Sequence, residues 1–384
     1  MTTSRAMDRK KIEEEYKHLK SVYFNSAYFG PSPIRAKATV EKALAIELDQ
    51  SFYPYNEWMS ISDKLRVKMA KLLNTSDDNI MHSTSTSDIV NIVANGFPFQ
   101  ADDHVASIDK DYPSNILPWM LQSERGRFVF DRIELGNEIV PTAEWLKTKL
   151  HPKTKIFNMS YVTFDTGKKM DILSIGKMLK ERGIFFIVDA TQALGGMPIT
   201  EEELKYIDVL ACSSYKWMLG PYGHAFAYFS NDAIKKVQHQ NANWVLSPTS
   251  KSVYDLLNYT TDTLPGARKY DRGQTANILT SAALDASYDF LLEVGLTEIE
   301  KWNKEVRNHF LENYPKKKYQ LVTPIEHMGN IVCLKSTSGD SVQLEKELKQ
   351  RNVDVSVRQG NIRLSFHVFN NHAQVESLIQ ALDA

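Results

Sequence analysis

The middle of the chain alternates short, almost wholly apolar runs with stretches of helical amphipathicity. The apolar runs, rich in Ile, Val, Phe and Ala, predict strands at residues 104–112, 154–162, 183–190, 206–214 and 224–230. Strands that are apolar on both faces are typical of a parallel sheet covered by helices on each side. Apolar positions at helical spacing lie between them, as in residues 172–182. This alternation predicts an α/β fold with a mostly parallel sheet flanked by helices.

The pattern changes near residue 280. Residues 279–314 predict one long amphipathic helix that Gly295 should break or bend. A helix at 342–350 and a last helix from Ala373 follow, with strand-like runs at 330–335, 354–357 and 362–366. We therefore predict an N-terminal segment that packs on a small domain, a large domain, and a small C-terminal α+β domain, over residues 1–24, 25–279 and 280–384.

Composition and charge narrow the class of protein. The 384 residues are 42% apolar and 24% charged, which is typical of a folded globular chain. Lys and Arg number 46 and Asp and Glu 47, so the net charge of −1 makes a nucleic acid an unexpected partner. The charged N-terminus lacks the apolar core of a signal peptide, and no apolar run approaches the roughly 20 residues that span a bilayer. We expect a cytoplasmic protein with no membrane partner.

The chain contains two cysteines, Cys212 and Cys333. Two cysteines make neither a disulfide framework nor a thiolate cluster, and a reducing compartment fits them. No His, Cys and carboxylate residues have the spacing of a metal site, so we expect no metal. Both cysteines are predicted to pack as small apolar side chains.

The candidate chemistry lies in the segments VDATQALGG (188–196) and CSSYKWMLGPYG (212–223). Asp189 ends a predicted buried strand, and Lys216 follows 27 residues later, between a second strand and a Gly-Pro turn. Side chains at the carboxyl ends of parallel strands can face one ligand. The apolar neighbours of Lys216 should lower the pKa of its amine, which favours Schiff-base chemistry. The alternatives for such a pair are a buried ion pair and a lone solvated lysine.

These two motifs resemble those of the class V aminotransferases, fold type I pyridoxal-phosphate enzymes that include cysteine desulfurases, kynureninase-like enzymes and isopenicillin epimerase-like proteins. The resemblance extends from about residue 25 to residue 370. It implies an aspartate aminotransferase-like fold with a seven-stranded sheet, a large domain that binds pyridoxal 5'-phosphate, and a homodimer. It also implies that Lys216 forms the Schiff base and moves the proton, while Asp189 holds the pyridine nitrogen protonated.

The resemblance implies further cofactor contacts. Gln192 matches the residue that hydrogen-bonds the ring hydroxyl, and Tyr112 matches the side chain that stacks on the ring. STSTSDIVN (83–91) resembles the phosphate loop and puts Thr86 and Ser87 on the phosphate, where a helix N-terminus favours an anion. The residues that flank the lysine and help to bind phosphate in desulfurases are matched by Ser213 and Tyr215. Packing for Tyr112 and simple helix capping for the Ser/Thr cluster remain open alternatives.

Two further matches concern the dimer and the substrate. RKYDRGQTAN (268–277) resembles the stretch that reaches the phosphate of the neighbouring subunit and nominates Thr275, although Gln274 replaces the usual Gly. NIRLSFHVFN (361–370) resembles the segment whose arginine clamps the substrate carboxylate, which nominates Arg363. An ion pair is the alternative for Arg363.

The resemblance leaves several reactions open. We expect an enzyme that acts on an amino acid, with transamination to a 2-oxo acid as the leading hypothesis. The alternatives are a pyridoxal-phosphate-dependent lyase, epimerase or desulfurase-like enzyme, and a catalytically silent binding protein of the same fold. Residues 354–361 lack the cysteine that accepts sulfur in desulfurases, which disfavours that activity. The aromatic N-terminal region either lines a substrate pocket or packs the domains together.

Overall fold

The computed structural model describes residues 7–49, 55–251, 254, 257–272, 277–337 and 339–384. In chain order its strands are β1 (Val22–Tyr23), β2 (Ile80–Ser83), β3 (His104–Ile108), β4 (Val129–Ile133), β5 (Thr154–Ser160), β6 (Phe185–Asp189), β7 (Val209–Ser213), β8 (Ala225–Phe229), β9 (Tyr319–Leu321), β10 (Ile331–Ser336), β11 (Val353–Asp354), β12 (Ser356–Arg358) and β13 (Asn361–Ser365). Its α-helices are α1 (Arg9–Tyr16), α2 (Arg35–Leu48), α3 (Tyr55–Leu73), α4 (Thr86–Gly96), α5 (Leu117–Glu124), α6 (Ala143–Lys149), α7 (Ile172–Glu181), α8 (Glu201–Leu204), α9 (Asn231–Lys236), α10 (Ile278–Val294), α11 (Leu296–Asn313), α12 (Ser341–Gln350) and α13 (His372–Asp383).

A seven-stranded sheet forms the centre of the fold. Its strand order is β2-β8-β7-β6-β5-β3-β4, and every pair is parallel except those that β8 makes with β2 and β7. The predicted α/β fold with a mostly parallel, helix-flanked sheet is therefore confirmed. The sequence pattern missed β2 and β4, the two edge strands, which are short and carry polar residues such as His82 and Asp131.

Helices cover both faces of this sheet, as the continuous apolar strands predict. Phe186 and Val188 of β6 belong to one buried cluster, whereas Phe185 and Ile187 belong to another on the opposite face. Because side chains alternate along a strand, every second residue enters the same core. Asp189 follows these four apolar residues as the last residue of the strand.

The C-terminal part of the chain forms a second sheet, antiparallel, in the order β12-β13-β10-β9. The predicted long helix is divided at Gly295, where φ is 84°, into α10 and α11. A left-handed φ is accessible to glycine at low cost, which explains why the helix ends there. The division of the chain at residue 280 into two domains stays a proposal.

The N-terminal segment contacts the last third of the chain. Arg9 Nη1 donates to the Val368 carbonyl oxygen at 2.6 Å, and its guanidinium lies 4.0 Å from the centre of the Trp302 ring. Strand β1 pairs in parallel with β11. None of the helices in the described part of the chain is long and apolar enough to cross a membrane, and the cytoplasmic location stays a prediction.

Two glycines let the backbone approach the turn that carries Lys216. Gly30 N–H donates to the Tyr215 carbonyl oxygen at 2.8 Å, and a Cβ on Gly30 would lie 1.7 Å from the Lys216 carbonyl oxygen. On another side of the turn, Gly195 has a φ of +100°, and a Cβ there would lie 2.2 Å from the Trp217 carbonyl oxygen. The position of Lys216 therefore depends on two residues that have no side chain.

We expect Gly30→Ala to lower the free energy of unfolding by about 3 kcal/mol, because the added methyl meets rigid backbone that must move. Thermal unfolding of the variant measures this loss. Gly339→Ala is the matched control, because the nearest atom to its Cβ would be Ser336 Oγ at 3.5 Å, an ordinary contact. Equal unfolding midpoints for the two variants would contradict the close approach at Gly30.

Candidate active site

A pocket lies at the carboxyl ends of the central strands. It is lined by residues from α4, from the loops after β3 and β5, and from the ends of β6 and β7. The lining residues include eight predicted from the sequence: Thr86, Ser87, Tyr112, Asp189, Gln192, Ser213, Tyr215 and Lys216. Residues that are up to 130 positions apart in the chain therefore share one cavity.

Lys216 lies in a tight turn directly after β7. The Gly220 N–H donates to the Ser214 carbonyl oxygen at 2.9 Å and closes this turn. The Lys216 side chain is buried, and its amine lies 5.3 Å from the centre of the Tyr112 ring and 5.4 Å from that of Tyr215. Burial, assisted by the nearby positive charge of Arg363, lowers the pKa of the amine to about 8. Among the described groups, no hydrogen-bond or ion-pair partner contacts the amine, which is free to react.

Asp189 supplies a buried carboxylate at the end of β6. Its Oδ1 accepts a hydrogen bond from the Thr191 N–H at 2.9 Å, and its Oδ2 accepts one from Asn115 Nδ2 at 3.3 Å. Burial raises the pKa of this carboxyl group, and the hydrogen bond from Thr191 opposes the rise. The carboxylate therefore gains from any cationic group that enters the pocket beside it.

A second buried carboxylate, Asp111, supports the first. Ser160 Oγ donates to Asp111 Oδ1 at 2.6 Å and accepts from Asn115 Nδ2 at 3.0 Å. Burial also raises the pKa of Asp111. Asn115 Nδ2 also donates to Asp111 Oδ1 at 3.4 Å, so one side chain connects the Asp111 and Asp189 carboxylates directly.

Hydroxyl groups gather at the N-terminus of α4. Thr86 Oγ1 lies 2.8 Å from Ser213 Oγ and 3.0 Å from Thr191 Oγ1, and Ser87 Oγ lies 2.7 Å from Ser114 Oγ. Thr86 N–H donates to Ser213 Oγ at 3.4 Å and Asp88 N–H to the capping Ser85 Oγ at 3.2 Å. The positive end of the helix dipole and these hydroxyls favour an anion. The acidic Asp88 in the same first turn is neutralised, because Arg272 donates to both of its carboxylate oxygens.

Gln192 lies at the pocket wall with both ends of its amide engaged. Its Nε2 donates to the Ala27 carbonyl oxygen at 3.0 Å, and its Oε1 accepts from Trp217 Nε1 at 2.9 Å. These bonds connect Ala27 to Trp217, the residue after Lys216. The hydrogen bond from Gln192 to a ring hydroxyl stays a prediction.

Arg363 is buried beside the pocket, on β13. Its Nε donates to Ser356 Oγ at 3.1 Å and its Nη1 to the Phe164 carbonyl oxygen at 2.8 Å. Its Nη2 is buried without a hydrogen-bond partner, and no carboxylate pairs with the guanidinium among the described residues. Burial and the nearby Arg358 lower its pKa to about 10. A buried cation with an unused donor is suited to an anionic ligand group.

Some site residues escaped the sequence prediction, and one predicted residue cannot be placed. Thr191 lies in VDATQALGG and Asn115 lies three residues after Tyr112, yet only the folded contacts give them a role. Asp111 and Ser160 likewise carry no recognisable signal. Thr275 and its neighbour Gln274 lie outside the described residues, so the reach to a second subunit stays a prediction.

The chemical groups that line the pocket fit those of pyridoxal phosphate. The lining includes the hydroxyls at the start of α4, a buried carboxylate, and an amine that lies 5.3 Å from the centre of an aromatic ring. The cofactor requires these groups: donors for its phosphate, an acidic partner for its ring nitrogen, a flat side chain and a lysine.

The chain is similar to one protein family, to named relatives and to solved structures. Residues 51–379 match the class V aminotransferase family. A probable cysteine desulfurase of Methanothermobacter thermautotrophicus is 27% identical over 287 residues, which are 73% of this chain and 69% of that relative. The structure of a cysteine desulfurase from Thermococcus onnurineus NA1 has a TM-score of 0.85 at 18% identity and covers 100% of this chain and 98% of that one.

A lyase has the same fold. The cystine C–S lyase C-DES, in complex with its reaction product cysteine persulfide, has a TM-score of 0.86 at 16% identity, with 94% of this chain and 97% of that one covered. A variant of C-DES carries glycine covalently linked to pyridoxal phosphate. The match over most of the chain and the groups assembled in the pocket lead to one conclusion: this chain belongs to the class V aminotransferases and is a pyridoxal-phosphate-dependent enzyme.

Proposed function

We propose that the enzyme is a carbon–sulfur lyase that acts on a sulfur-containing amino acid. The names of its relatives support this desulfurase-like alternative better than transamination, our leading expectation from the sequence. They lend no support to a 2-oxo acid as second substrate.

The surroundings of the two cysteines favour a lyase over a desulfurase that transfers sulfur to a cysteine of the protein. Cys212 and Cys333 are both fully buried. Burial raises the pKa of the Cys333 thiol to about 12 and that of Cys212 well above its usual range. A thiolate is needed to accept sulfur, and neither residue supplies one near neutral pH. The sulfur therefore leaves with the product.

The reaction is an elimination that needs no oxidant. The Cα–H and Cβ–S bonds break, the sulfur departs with the bonding electron pair, and water converts the three-carbon remainder to pyruvate and ammonia. Pyridoxal phosphate, when bound, supplies the ring that accepts electrons from Cα. The protein must bind the amino acid, exclude water and move one proton.

Each residue of the pocket has a task in this proposal. Lys216 Nζ takes the proton from Cα, which its pKa of about 8 permits near neutral pH. Asp189 holds a proton on the ring nitrogen, and this charge pair offsets the burial of the carboxylate. Thr86 and the start of α4 bind the phosphate, with Ser87, Ser213 and Tyr215 beside it. Tyr112 stacks on the ring.

Arg363 binds the substrate carboxylate in this proposal. Its Nη2 has no hydrogen-bond partner in the described structure, while Ser356 and Phe164 hold the rest of the guanidinium. A homodimer, completed by Thr275 of the neighbouring subunit, is also part of the proposal.

We expect Lys216→Ala to abolish the visible absorbance of the bound cofactor and all turnover, because no other described lysine lines the pocket. The spectrum of the purified variant tests this. In the unchanged protein, borohydride reduction and peptide mapping should find the pyridoxyl group on Lys216. Label on any other lysine would contradict the assignment, and an unchanged protein with neither visible absorbance nor label would be better described as a silent binding protein.

We expect the double variant Cys212→Ala/Cys333→Ala to keep its activity within about threefold, since neither thiol takes part in sulfur transfer. Release of pyruvate from cysteine or cystine, without added 2-oxo acid, measures this activity; the sulfur should leave as sulfide from cysteine and as cysteine persulfide from cystine. Loss of sulfide release, together with a persulfide on the unchanged protein, would identify a desulfurase. If product forms only when a 2-oxo acid is added, transamination becomes the better-supported reaction.

We expect Arg363→Lys to raise the KM for the amino acid about ten- to a hundredfold, because the lysine cannot give two parallel hydrogen bonds to a carboxylate, each worth about 1.5 to 3 kcal/mol. Steady-state kinetics measure the change, and cofactor affinity should stay as it was. The exposed Arg351→Lys is the matched control. An unchanged KM in Arg363→Lys would show that the arginine does not bind the substrate carboxylate.

A further inference from the structure

A chain of buried polar side chains runs behind the turn that carries Lys216. Tyr288 Oη lies 2.9 Å from Ser214 Oγ, which lies 2.8 Å from His224 Nδ1. His224 Nε2 lies 3.1 Å from His82 Nδ1, and His82 Nε2 lies 2.8 Å from the Ser62 carbonyl oxygen. These four side chains are buried, and none of them lines the cofactor pocket.

The carbonyl of Ser62 fixes the direction of every hydrogen bond in this chain. A carbonyl only accepts, so His82 Nε2 carries a hydrogen. His82 is neutral, because burial and the positive charge of Arg66 lower its pKa to about 3. Its Nδ1 must therefore accept, and His224 Nε2 must donate.

The same reasoning continues to Tyr288. Burial lowers the pKa of His224 well below its usual value, so this ring is also neutral and its Nδ1 accepts. Ser214 Oγ therefore donates to His224 and accepts from the Tyr288 hydroxyl. One arrangement of hydrogens satisfies the whole chain, and Ser214 has no freedom to rotate its hydroxyl elsewhere.

Ser214 belongs to the turn that places the lysine. Its N–H donates to the His224 carbonyl oxygen at 3.0 Å, and its carbonyl oxygen accepts from Gly220 N–H at 2.9 Å. The preceding residue, Ser213, lies against Thr86 on the pocket side. Neighbouring serines therefore serve two purposes: Ser213 faces the cofactor pocket, and Ser214 fixes the turn from behind.

We propose that His224 and Tyr288 are positioning residues that hold the Lys216 turn through the hydroxyl of Ser214. This inference rests on the proposed role of Lys216. His82 connects the chain to β2, the strand that leads into the hydroxyl-rich start of α4. The chain thereby ties the lysine to the anion site, and a shift of the lysine by about 1 Å can cost a hundredfold in rate.

Two substitutions of His224 separate this role from simple filling of space. In His224→Asn the amide oxygen lies near the former Nδ1 and still accepts from Ser214. In His224→Gln the amide nitrogen lies near the former Nε2 and donates to His82, but Ser214 loses its acceptor. We expect kcat to fall about ten- to a hundredfold in the glutamine variant and less than about threefold in the asparagine variant, with KM unchanged in both.

A role in stability alone predicts the opposite order, because glutamine is closer to histidine in volume. The pH at which the visible absorbance of the bound cofactor changes gives a second readout, since it reports the surroundings of Lys216. It should shift in the glutamine variant and not in the asparagine variant. Equal kcat and equal absorbance titrations in the two variants would overturn the inference.

Tyr288→Phe keeps the test decisive if a histidine variant fails to fold. It removes the donor to Ser214 and should lower kcat and shift the absorbance titration. Tyr319→Phe is the matched control, because Tyr319 is a buried tyrosine that donates to the Leu382 carbonyl oxygen at 3.1 Å, in the C-terminal sheet. If Tyr288→Phe and Tyr319→Phe have the same kinetics, the positioning role is refuted, but the assignment of Lys216 as the Schiff-base lysine is unaffected. If Lys216→Ala keeps the cofactor absorbance, the lysine assignment fails and the positioning role falls with it.

Discussion

Burial of the Lys216 amine is the condition on which the rest of the site depends. Water would keep this amine protonated, and a protonated amine cannot take a proton from a substrate. The Lys216 side chain is buried, and the Tyr112 ring lies 5.3 Å from its amine. The same exclusion of water acts in the opposite sense on Asp189, whose charge needs a cationic partner. A cofactor with a basic ring nitrogen would supply a cationic partner for Asp189, and its aldehyde would react with the neutral amine of Lys216.

The sequence predicted those parts of the fold that repeat a simple pattern. Strands β5, β6 and β7 are apolar on both faces, so they were recognisable, whereas the edge strands β2 and β4 contact one neighbour each and carry mixed residues. The predicted long helix and its break at Gly295 followed from spacing and from the conformational freedom of glycine. The five strands predicted for the central sheet ran one to four residues past the observed carboxyl ends.

In the site, the prediction succeeded for residues that act by their own chemistry. Lys216 and Asp189 lie in recognisable motifs and act through their own amine and carboxylate. Asn115, Asp111 and His224 act by holding other side chains, and their partners are distant in the chain. No local pattern encodes such contacts, which exist only after folding. The preference for transamination likewise came from the family as a whole, since the same lysine serves every reaction in it.

The antiparallel strand β8 has a consequence for how the enzyme is made. Among the described strands, β2, which leads to the anion site, pairs only with β8, and their paired residues are more than 140 positions apart in the chain. A growing chain that has not reached residue 225 has the start of α4 and the lysine turn, but lacks the strand that joins them. Such distant pairing slows folding, because the entropy of closing a long loop is lost before the new contacts stabilise the pair. During synthesis, cofactor capture should therefore be a late event that follows the insertion of this one strand.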